Sequence, residues 1–269
     1  MGLALLVVIC LITFVSSYFF AAKTWWMPAV ASTYGPAIDR QFTYTYIAMG
    51  VVFVAAQVAL GWFAWKYRDR SQKVQYSHGN LRMEFTWTIL TAILFVGLNL
   101  MGQKIWAEAR FRGEAPDAPV KVEITGMQFQ WYFRYPGPDA KFGKTDYSQA
   151  DASAGAEAAV GLDTLDPASK DDVVVNTLVL PVNKEVEVTL RAQDVIHDFF
   201  VPALRFKQDA VPGLNIRLHF TPTTVGDYEV ACAELCGLGH YRMRAIMKVV
   251  SDEDFQKFLA QKEAEKQAP

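Results

Sequence analysis

Four side chains that bind soft metals lie within the segment 232–243, near the C-terminal end of the chain. They are Cys232, Cys236, His240 and Met243. A second histidine, His197, lies ahead of the hydrophobic run 199–202. Thiolate and thioether ligands select copper or zinc over hard cations. The spacing therefore predicts a site for a soft metal ion.

Several chemistries use part of this donor set. A disulfide between the two cysteines would leave His240 and Met243 unexplained, and a structural zinc site has little use for methionine. A mononuclear blue-copper site needs two histidines, one cysteine and a weak axial methionine, and this chain offers one cysteine more. Two bridging thiolates can instead hold two coppers, each with one histidine, and the joint pattern favours this binuclear site.

The part of the chain ahead of residue 107 is apolar, whereas charged residues concentrate after it. It contains three segments of the ~20 residues that cross a bilayer, residues 3–22, 46–65 and 86–105. The first segment could instead be a signal peptide, but it lacks a basic start and an Ala-x-Ala cleavage site. We predict a transmembrane helical anchor over residues 1–106.

The loop between the second and third spans is richer in basic residues than the loop between the first and second. The former holds Lys66, Arg68, Arg70, Lys73 and Arg82, and the latter Lys23 and Arg40. Because basic loops stay in the cytoplasm, the N-terminus is expected there and the C-terminal domain outside. We expect an integral protein of a bacterial-type inner membrane with a periplasmic domain. Lipid is then a partner, and the net charge of −2 argues against nucleic acid.

Short runs with β-branched residues and turn signals follow the anchor. The predicted strands or hairpins are 120–135, 173–180, 185–191, 215–221, 227–232 and 241–250. They indicate an all-β Greek-key domain over residues 107–250, and a charged helix or tail over 251–269. An acidic insertion, 137–172, is either a solvated surface excursion or a landing surface for a basic electron donor.

Two motifs carry a resemblance to a known family. Cys-x-Glu-x-Cys-Gly-x-x-His-x-x-Met at 232–243, preceded by Asp-Val-Ile-His-Asp-Phe-Phe-Val-Pro at 194–202, resembles subunit II of the haem-copper cytochrome c oxidases. The segment 78–88 is similar to the family's entry into its second helix, and the resemblance covers about 66–250. It implies a cupredoxin domain with a binuclear CuA centre, which accepts electrons from a cytochrome c-type or other protein donor and passes them to haem in subunit I.

The resemblance also implies a role for each residue of the motif. Cys232 and Cys236 become bridging ligands, His197 and His240 terminal ligands, Met243 an axial ligand, and Glu234 a ligand through its backbone carbonyl. The Glu234 side chain would also help to bind Mg²⁺ or Mn²⁺ at the contact with subunit I. Glu84 corresponds to an acidic residue at the mouth of a proton-uptake path, although a charged anchor at a helix end explains it equally well.

The chain departs from the family pattern at several positions. Phe129 stands where the family has the tryptophan through which electrons enter. Either Trp131 substitutes for that tryptophan or the donor docks differently, so Phe129 and Trp131 are both candidates for electron entry. Leu214 stands where the family has an arginine near the haem propionates. Most members have two spans, whereas three are predicted here. The implied partners are subunit I, other oxidase subunits and the electron donor.

Two other classes of protein would use a similar donor set. One is the copper domain of a nitrous oxide reductase-like enzyme, a soluble protein with a large catalytic domain that this chain is too short to supply. The other is a membrane-tethered copper carrier or assembly factor. Carriers tend to use exposed sites that release metal, whereas two thiolates backed by two histidines suit retention.

Overall fold

The computed structural model describes residues 2–23, 27–68, 76, 78–111 and 120–267, so Arg70 and Lys73 of the basic loop lie outside the described residues. The chain divides into two compact units. The first contains Met1–Met27 and Ala37–Lys104, and the second contains Pro28–Pro36 and Ile105–Pro269. The short segment Pro28–Pro36 therefore belongs to the unit that contains the strands, although it lies between two helices of the other unit in sequence.

Three long helices begin the chain: α1 (Gly2–Ala21), α2 (Gly35–Lys66) and α3 (Leu81–Arg110). All three are long and apolar enough to cross a membrane, which confirms the three predicted spans. Helix α2 begins at Gly35, whereas the predicted span began at residue 46. The first turns of α2 contain polar residues, so the apolar pattern did not predict them as part of the span. The Thr43 and Thr45 hydroxyls there donate to carbonyls of the preceding turn.

Close contacts join the helices of the first unit. A Cβ atom at Gly61 of α2 would lie 2.8 Å from Cδ1 of Leu6 in α1, so the small residue permits the two backbones to approach. Gln41 of α2 donates from Nε2 to the Leu98 carbonyl of α3 at 2.7 Å. This amide is therefore satisfied within the helical unit, as an apolar environment requires.

The second unit contains two five-stranded sheets. Its strands are β1 (Val120–Met127), β2 (Gln130–Tyr135), β3 (Val173–Val175), β4 (Thr177–Pro181), β5 (Val186–Ala192), β6 (His197–Val201), β7 (Phe206–Ala210), β8 (Ile216–Phe220), β9 (Gly226–Cys232) and β10 (Arg244–Val250). The strand orders are β3-β2-β1-β5-β8 and β4-β10-β9-β6-β7. The pairs β1–β5 and β4–β10 are parallel, and the other named pairs are antiparallel. The predicted fold class, three apolar helices followed by an all-β cupredoxin-like domain, is confirmed.

The sequence did not predict strands β6 and β7. Pro202 interrupts this stretch and begins a 3₁₀ turn, Pro202–Leu204, that ends at Arg205 with a φ of 57°. Strand β7 also carries charged residues at alternate positions, Lys207 and Asp209. A turn signal and a half-polar strand together hide a hairpin whose residues nevertheless pair in register from His197↔Ala210 to Val201↔Phe206.

The two sheets enclose the apolar core. In β1, Val120, Val122 and Ile124 are buried in a cluster with Val188 and Leu190 of β5. This alternation is the period-two pattern of a strand with one face toward the core. Burial of such side chains stabilises the fold by about 1.5–3 kcal/mol each.

The acidic insertion is ordered and packs a small core of its own. Ala159, Val160 and Leu162 of the insertion cluster with Tyr132 of β2, and helix α4 (Ala156–Ala159) lies within this segment. Several of its acidic residues cap 3₁₀ turns by accepting backbone N–H groups two positions ahead. They are Asp146, Asp151 and Asp166. The acidic composition therefore has a local structural cause.

A buried arginine ties the insertion to the sheet. Arg134 of β2 is 2 % exposed and donates to Glu123 Oε2 at 2.8 Å, to Asp172 and to the carbonyl of Gly143. The second carboxylate oxygen of Glu123 accepts from Arg191 at 2.7 Å. Asp172 and Gly143 border the insertion, so the guanidinium joins its two ends to β1 and β2.

The chain continues after β10 into helix α5 (Asp252–Gln267). The Ser251 hydroxyl caps this helix by accepting the Asp254 N–H at 3.1 Å. Phe255 is buried beside Tyr135, with ring centroids 6.1 Å apart, and Lys266 donates to the Asp172 carbonyl at 2.9 Å. The helix thus packs against the same edge of the domain as the insertion.

Replacement of Arg134 by methionine should destabilise the β domain by about 3–5 kcal/mol, because the Asp172 carboxylate would stay buried without its cation. The matched control is Arg244→Met, which breaks an exposed pair with Glu229 at 3.8 Å and should cost at most about 1 kcal/mol. The measurement is urea unfolding of the full chain in detergent, followed by resistance to a short protease pulse. Equal losses in both variants would contradict the structural role of the buried arginine.

Candidate metal centre

Strand pairing brings together the segments that carry the soft-metal donors. Cys232 ends β9 and Met243 immediately precedes β10, and the antiparallel pairing of these strands closes the intervening loop. The Cys232 N–H donates to the Met243 carbonyl at 3.1 Å. His197 begins β6, which pairs with β9 through Phe199↔Cys232. The histidine that is distant in sequence therefore lies beside the loop.

The donor atoms lie close to one another. Cys232 Sγ and Cys236 Sγ are 3.8 Å apart, well beyond the ~2.05 Å of a disulfide bond. His197 Nδ1 lies 3.9 Å from Cys232 Sγ, and His240 Nδ1 lies 3.6 Å from Cys236 Sγ. Each histidine thus contacts a different cysteine of a central pair.

Two weaker donors complete the cluster. Met243 Sδ lies 3.7 Å from Cys236 Sγ, and the Glu234 carbonyl oxygen lies 3.2 Å from Cys232 Sγ. Thioether and carbonyl groups are the usual weak axial ligands of protein-bound copper. The donor chemistry consequently fits copper, with each thiolate flanked by one imidazole and one weak ligand.

Most of the cluster is shielded from water. His197 is fully buried, and Cys232, Cys236 and Met243 are between 2 % and 8 % exposed. The Trp131 ring is also buried and meets His197 edge-on, with centroids 6.0 Å apart. Gly126 permits this packing, because a Cβ there would lie 2.9 Å from the Trp131 ring and 3.1 Å from the His197 ring.

The environment separates the acidities of the two thiols. Burial acts to raise the pKa of Cys232, but hydrogen bonds with His197 and with the backbone outweigh it and lower the pKa to about 6. Burial raises the pKa of Cys236 to about 11, and the neighbouring Cys232 thiolate adds to the rise. The metal-free site therefore holds one thiolate at neutral pH, and a cationic metal must help to release the proton of the second thiol.

His197 is oriented by a carboxylate. Its Nε2 lies 2.8 Å from Asp194 Oδ1, which leaves Nδ1 turned toward Cys232. Burial acts to lower the pKa of His197, but the contacts with Cys232 and Asp194 raise it above its ordinary value. A carboxylate on the second ring nitrogen is the usual device that fixes the tautomer of a metal-binding histidine.

The other residues singled out in the sequence have different surroundings. Phe129 is half-buried against the ligand loop, where a Cβ at Gly239 would lie 2.4 Å from its ring. The Glu234 side chain is exposed, and so is Leu214. Glu84 is exposed in the first turn of α3, in the helical unit. The structure thus gathers the six expected copper donors and Trp131, while Glu84 belongs to the other unit.

Two residues of the surroundings were not predicted from the sequence. The contact of Asp194 with His197 could have been predicted, because the side chain of an acidic residue three positions before a ligand histidine can reach the imidazole ring. No local sequence pattern indicates the contacts of Gln128. Its Nε2 donates to the Cys236 carbonyl at 2.5 Å, and its backbone N–H donates to Asp194 Oδ2 at 2.7 Å. Both partners are distant in sequence, so only the fold reveals these contacts.

Residues 121–250 match the family model "Cytochrome C oxidase subunit II, periplasmic domain". The "alternative cytochrome c oxidase subunit 2" of Bradyrhizobium diazoefficiens is 33 % identical over 262 residues, which cover 96 % of this chain and 92 % of that protein. The cytochrome c oxidase subunit 2 of Cereibacter sphaeroides is 31 % identical over 230 residues, covering 82 % and 73 % of the two chains.

A crystal structure of the periplasmic domain of cytochrome oxidase subunit II from Bradyrhizobium japonicum is also similar. Its sequence identity is 28 %, the TM-score is 0.41, and the match covers 56 % of this chain and 99 % of that one.

The fold and the donor cluster are those of a membrane-anchored copper protein of electron transfer. The chain belongs to the cytochrome c oxidase subunit II family, as its identity with the full-length relatives shows. It is the electron-transfer subunit of a haem-copper terminal oxidase, which confirms the family resemblance and the predicted function. These relatives do not favour the alternatives of a copper carrier or a nitrous oxide reductase-like enzyme.

The two thiols of the metal-free protein should titrate in separate steps. In a Cys10→Ser background, thiolate absorbance should rise by one equivalent through about pH 6, and the second should appear only in strongly alkaline solution. The control Cys232→Ser should abolish the first step. A single step of two equivalents near the ordinary pKa of 9.0 would contradict the asymmetry of the site.

Since the pKa of Cys232 is lowered, its ionisation should stabilise the metal-free fold above the ordinary thiol pKa. That contribution should be lost as the pH falls through about 6. The raised pKa of Cys236 has the opposite sign, and its contribution is lost as the pH rises through about 11.

Proposed function

We propose that the site is a binuclear CuA centre and that the chain is the point at which electrons enter the oxidase. The observation that carries the proposal is the cysteine pair, 3.8 Å apart, with a different histidine on each sulfur. A mononuclear blue-copper site uses one cysteine and would leave the second thiolate without a role. Two thiolates between two imidazoles instead suit a pair of coppers.

Each ligand has a distinct task in this proposal. Cys232 and Cys236 would serve as the two shared thiolate ligands, His197 and His240 would each supply an imidazole, and Met243 and the Glu234 carbonyl would be the weak ligands. A bound copper pair supplies one-electron redox chemistry with its charge shared over two metals. The protein holds the ligands within packed strands and excludes water, so the site reorganises little when an electron arrives.

Phe129 and Trp131 are the candidates for electron entry. Phe129 lies against Gly237 and Gly239 of the ligand loop, so its ring contacts the segment between Cys236 and His240. Trp131 contacts His197 but is fully buried. A docked protein could therefore reach the Phe129 ring more readily, and we assign entry to Phe129 with Trp131 as the internal neighbour. We expect the donor to be a cytochrome c-type or similar protein.

Exposed residues near the cluster suit the subunit I contact. The Glu234 side chain is exposed while its carbonyl faces Cys232, so this carboxylate is free of the copper donor set and is available to a Mg²⁺ or Mn²⁺ ion shared with subunit I. Carboxylate oxygen is the ligand type that these hard cations prefer. Glu84, exposed at the start of α3, is the proposed entrance to a proton-uptake path.

We also propose that the N-terminus lies in the cytoplasm and the β domain in the periplasm. The segment between α1 and α2 supports this orientation, because it is hydrogen-bonded into the β unit. The Ala31 N–H donates to the Ala203 carbonyl at 2.8 Å, the Thr33 N–H donates to the Thr221 carbonyl at 3.1 Å, and Ser32 Oγ donates to the Leu204 carbonyl at 2.7 Å. The proposal accordingly puts the α1–α2 connection and the β domain on one side of the membrane, and the basic α2–α3 loop on the cytoplasmic side.

We propose the following organisation of the chain. Residues 1–106 form the anchor, although its segment Pro28–Pro36 belongs to the β unit, residues 107–250 form the copper domain with the insertion 137–172, and residues 251–269 form the C-terminal helix and tail. Since α1 is long and apolar enough to cross a membrane and its Leu6 lies close to Gly61 of α2, α1 is proposed to remain in the mature protein as a true span.

The full chain, purified in detergent and loaded with copper, should bind two copper ions. Its EPR spectrum should show hyperfine splitting by two equivalent copper nuclei. Met243→Leu should keep both ions because an axial ligand is weak, whereas Cys236→Ser should lose the shared signal because one bridge is gone. One copper ion per chain with a four-line spectrum would overturn the CuA assignment.

The orientation can be tested by labelling single cysteines in a Cys10→Ser, Cys232→Ser, Cys236→Ser background. In intact spheroplasts, a membrane-impermeant maleimide should label Asp139→Cys and Lys23→Cys but not Tyr76→Cys. Lys23, Tyr76 and Asp139 are all exposed, so burial does not explain a difference among them. Labelling of Tyr76→Cys without lysis would contradict the proposed orientation.

A further inference from the structure

The loop between β1 and β2 contacts both segments that carry copper ligands. On one side, Gly126 lies under the His197 ring, and the Gln128 N–H donates to Asp194, which in turn holds His197 Nε2. On the other side, the Gln128 side chain donates to the Cys236 carbonyl. One residue therefore connects the two halves of the ligand set, which come from distant parts of the sequence.

The same loop carries the phenyl ring proposed for electron entry. Phe129 follows Gln128, and its ring rests on Gly237 and Gly239. A Cβ at Gly237, where φ is 132°, would lie 2.7 Å from Gln128 Nε2 and 3.2 Å from the Phe129 ring. The guanidinium of Arg242 lies over the Phe129 ring, 6.0 Å from its centroid. The absence of side chains at both glycines allows the amide and the ring to reach the ligand loop together.

We propose that Gln128 is a positioning residue for electron entry, which holds the Phe129 ring against the ligand loop through its hydrogen bond to the Cys236 carbonyl. The inference rests on the proposed function, since it needs an electron-accepting copper centre behind the loop. The amide touches a ligand's backbone rather than copper. Its loss should therefore loosen the contact between ring and loop without removing a metal ligand.

Chemically, Gln128 suits this task because it is neutral and can donate two hydrogen bonds at once. Its backbone N–H engages the carboxylate that orients His197, and its side-chain N–H engages Cys236. A donor to the Cys236 carbonyl also draws electron density from the peptide group next to a bridging thiolate. Loss of this hydrogen bond should therefore change the EPR spectrum of the copper centre as well as the rate of electron entry.

The test compares Gln128→Leu with Gln130→Leu in the assembled oxidase. Leucine keeps the approximate size of the side chain and removes its donor. Gln130 is also exposed in the same hairpin, where it pairs with Met127 through strand register. The donor probe is reduced mitochondrial cytochrome c. The readouts are copper content, EPR hyperfine splitting, and the steady-state kcat and KM for oxidation of the cytochrome.

Gln128→Leu should retain two copper ions per chain, alter the hyperfine splitting, and lower the kcat of electron entry roughly fivefold, the population change expected from one hydrogen bond. Its KM should stay unchanged, and Gln130→Leu should resemble the parent in every readout. An unchanged kcat would overturn the inference, as would a raised KM alone, which would make Gln128 a donor contact.

Loss of copper from Gln128→Leu would also overturn it, because the amide would then hold the metal loop itself. Failure of the proposed function would be seen in a different sample. If the site were not a binuclear copper centre, the unmodified chain itself would lack the two-copper spectrum. A parent with that spectrum and an unaffected Gln128→Leu would leave the CuA assignment standing and remove only the role of Gln128.

Discussion

The pairing of β9 with β10 on one side and with β6 on the other is the constraint on which the site depends. The first pair closes the loop that carries Cys232, Cys236, His240 and Met243, and the second sets His197 beside Cys232. Thiols and imidazoles on a free peptide would have to be ordered by the metal at an entropic cost. In this domain, strand pairing already orders the ligands when the protein folds. The ligands are therefore close together before a metal ion binds.

Burial then converts a metal-binding cluster into an electron-transfer site. The surrounding core, including Trp131 and Phe199, keeps water from most of the ligands and so limits the rearrangement that accompanies a change of charge. The polar contacts around the site are few and specific. Asp194 orients His197, and the Cys232 N–H and Met243 carbonyl close the loop. A site of this kind favours retention and repeated redox cycling over release of copper.

Much of the architecture could be predicted from the sequence, because the strongest signals are local. The apolar length of the spans, the Cys-x₃-Cys-x₃-His-x₂-Met spacing, and the turn signals between most strands each lie within a short window. The hairpin β6–β7 escaped prediction because Pro202 and the charged face of β7 resemble a loop. Arg134 and Gln128 escaped because their partners are far away in sequence: Asp172 and Glu123 for one, Cys236 and Asp194 for the other.

The insertion shows what composition alone does not reveal. Its many acidic residues indicated either a solvated excursion or a landing surface, yet several of them cap turns and Asp172 is buried against Arg134. The segment Pro28–Pro36 between α1 and α2 is a similar case, since its sequence indicates a simple loop while its backbone pairs with the β unit. In the α1–α2 connection the contacts are mainly backbone hydrogen bonds, which side-chain patterns reveal poorly.

The most direct test of a thiolate-bridged copper pair is X-ray absorption at the copper edge on the copper-loaded full chain. A thiolate-bridged copper pair should give a shell of sulfur and nitrogen scatterers and, beyond it, a strong short copper–copper vector. That vector should disappear in Cys236→Ser. A spectrum with the sulfur and nitrogen shell but without a copper–copper vector would contradict the account, because it would place a single copper ion between the two cysteines.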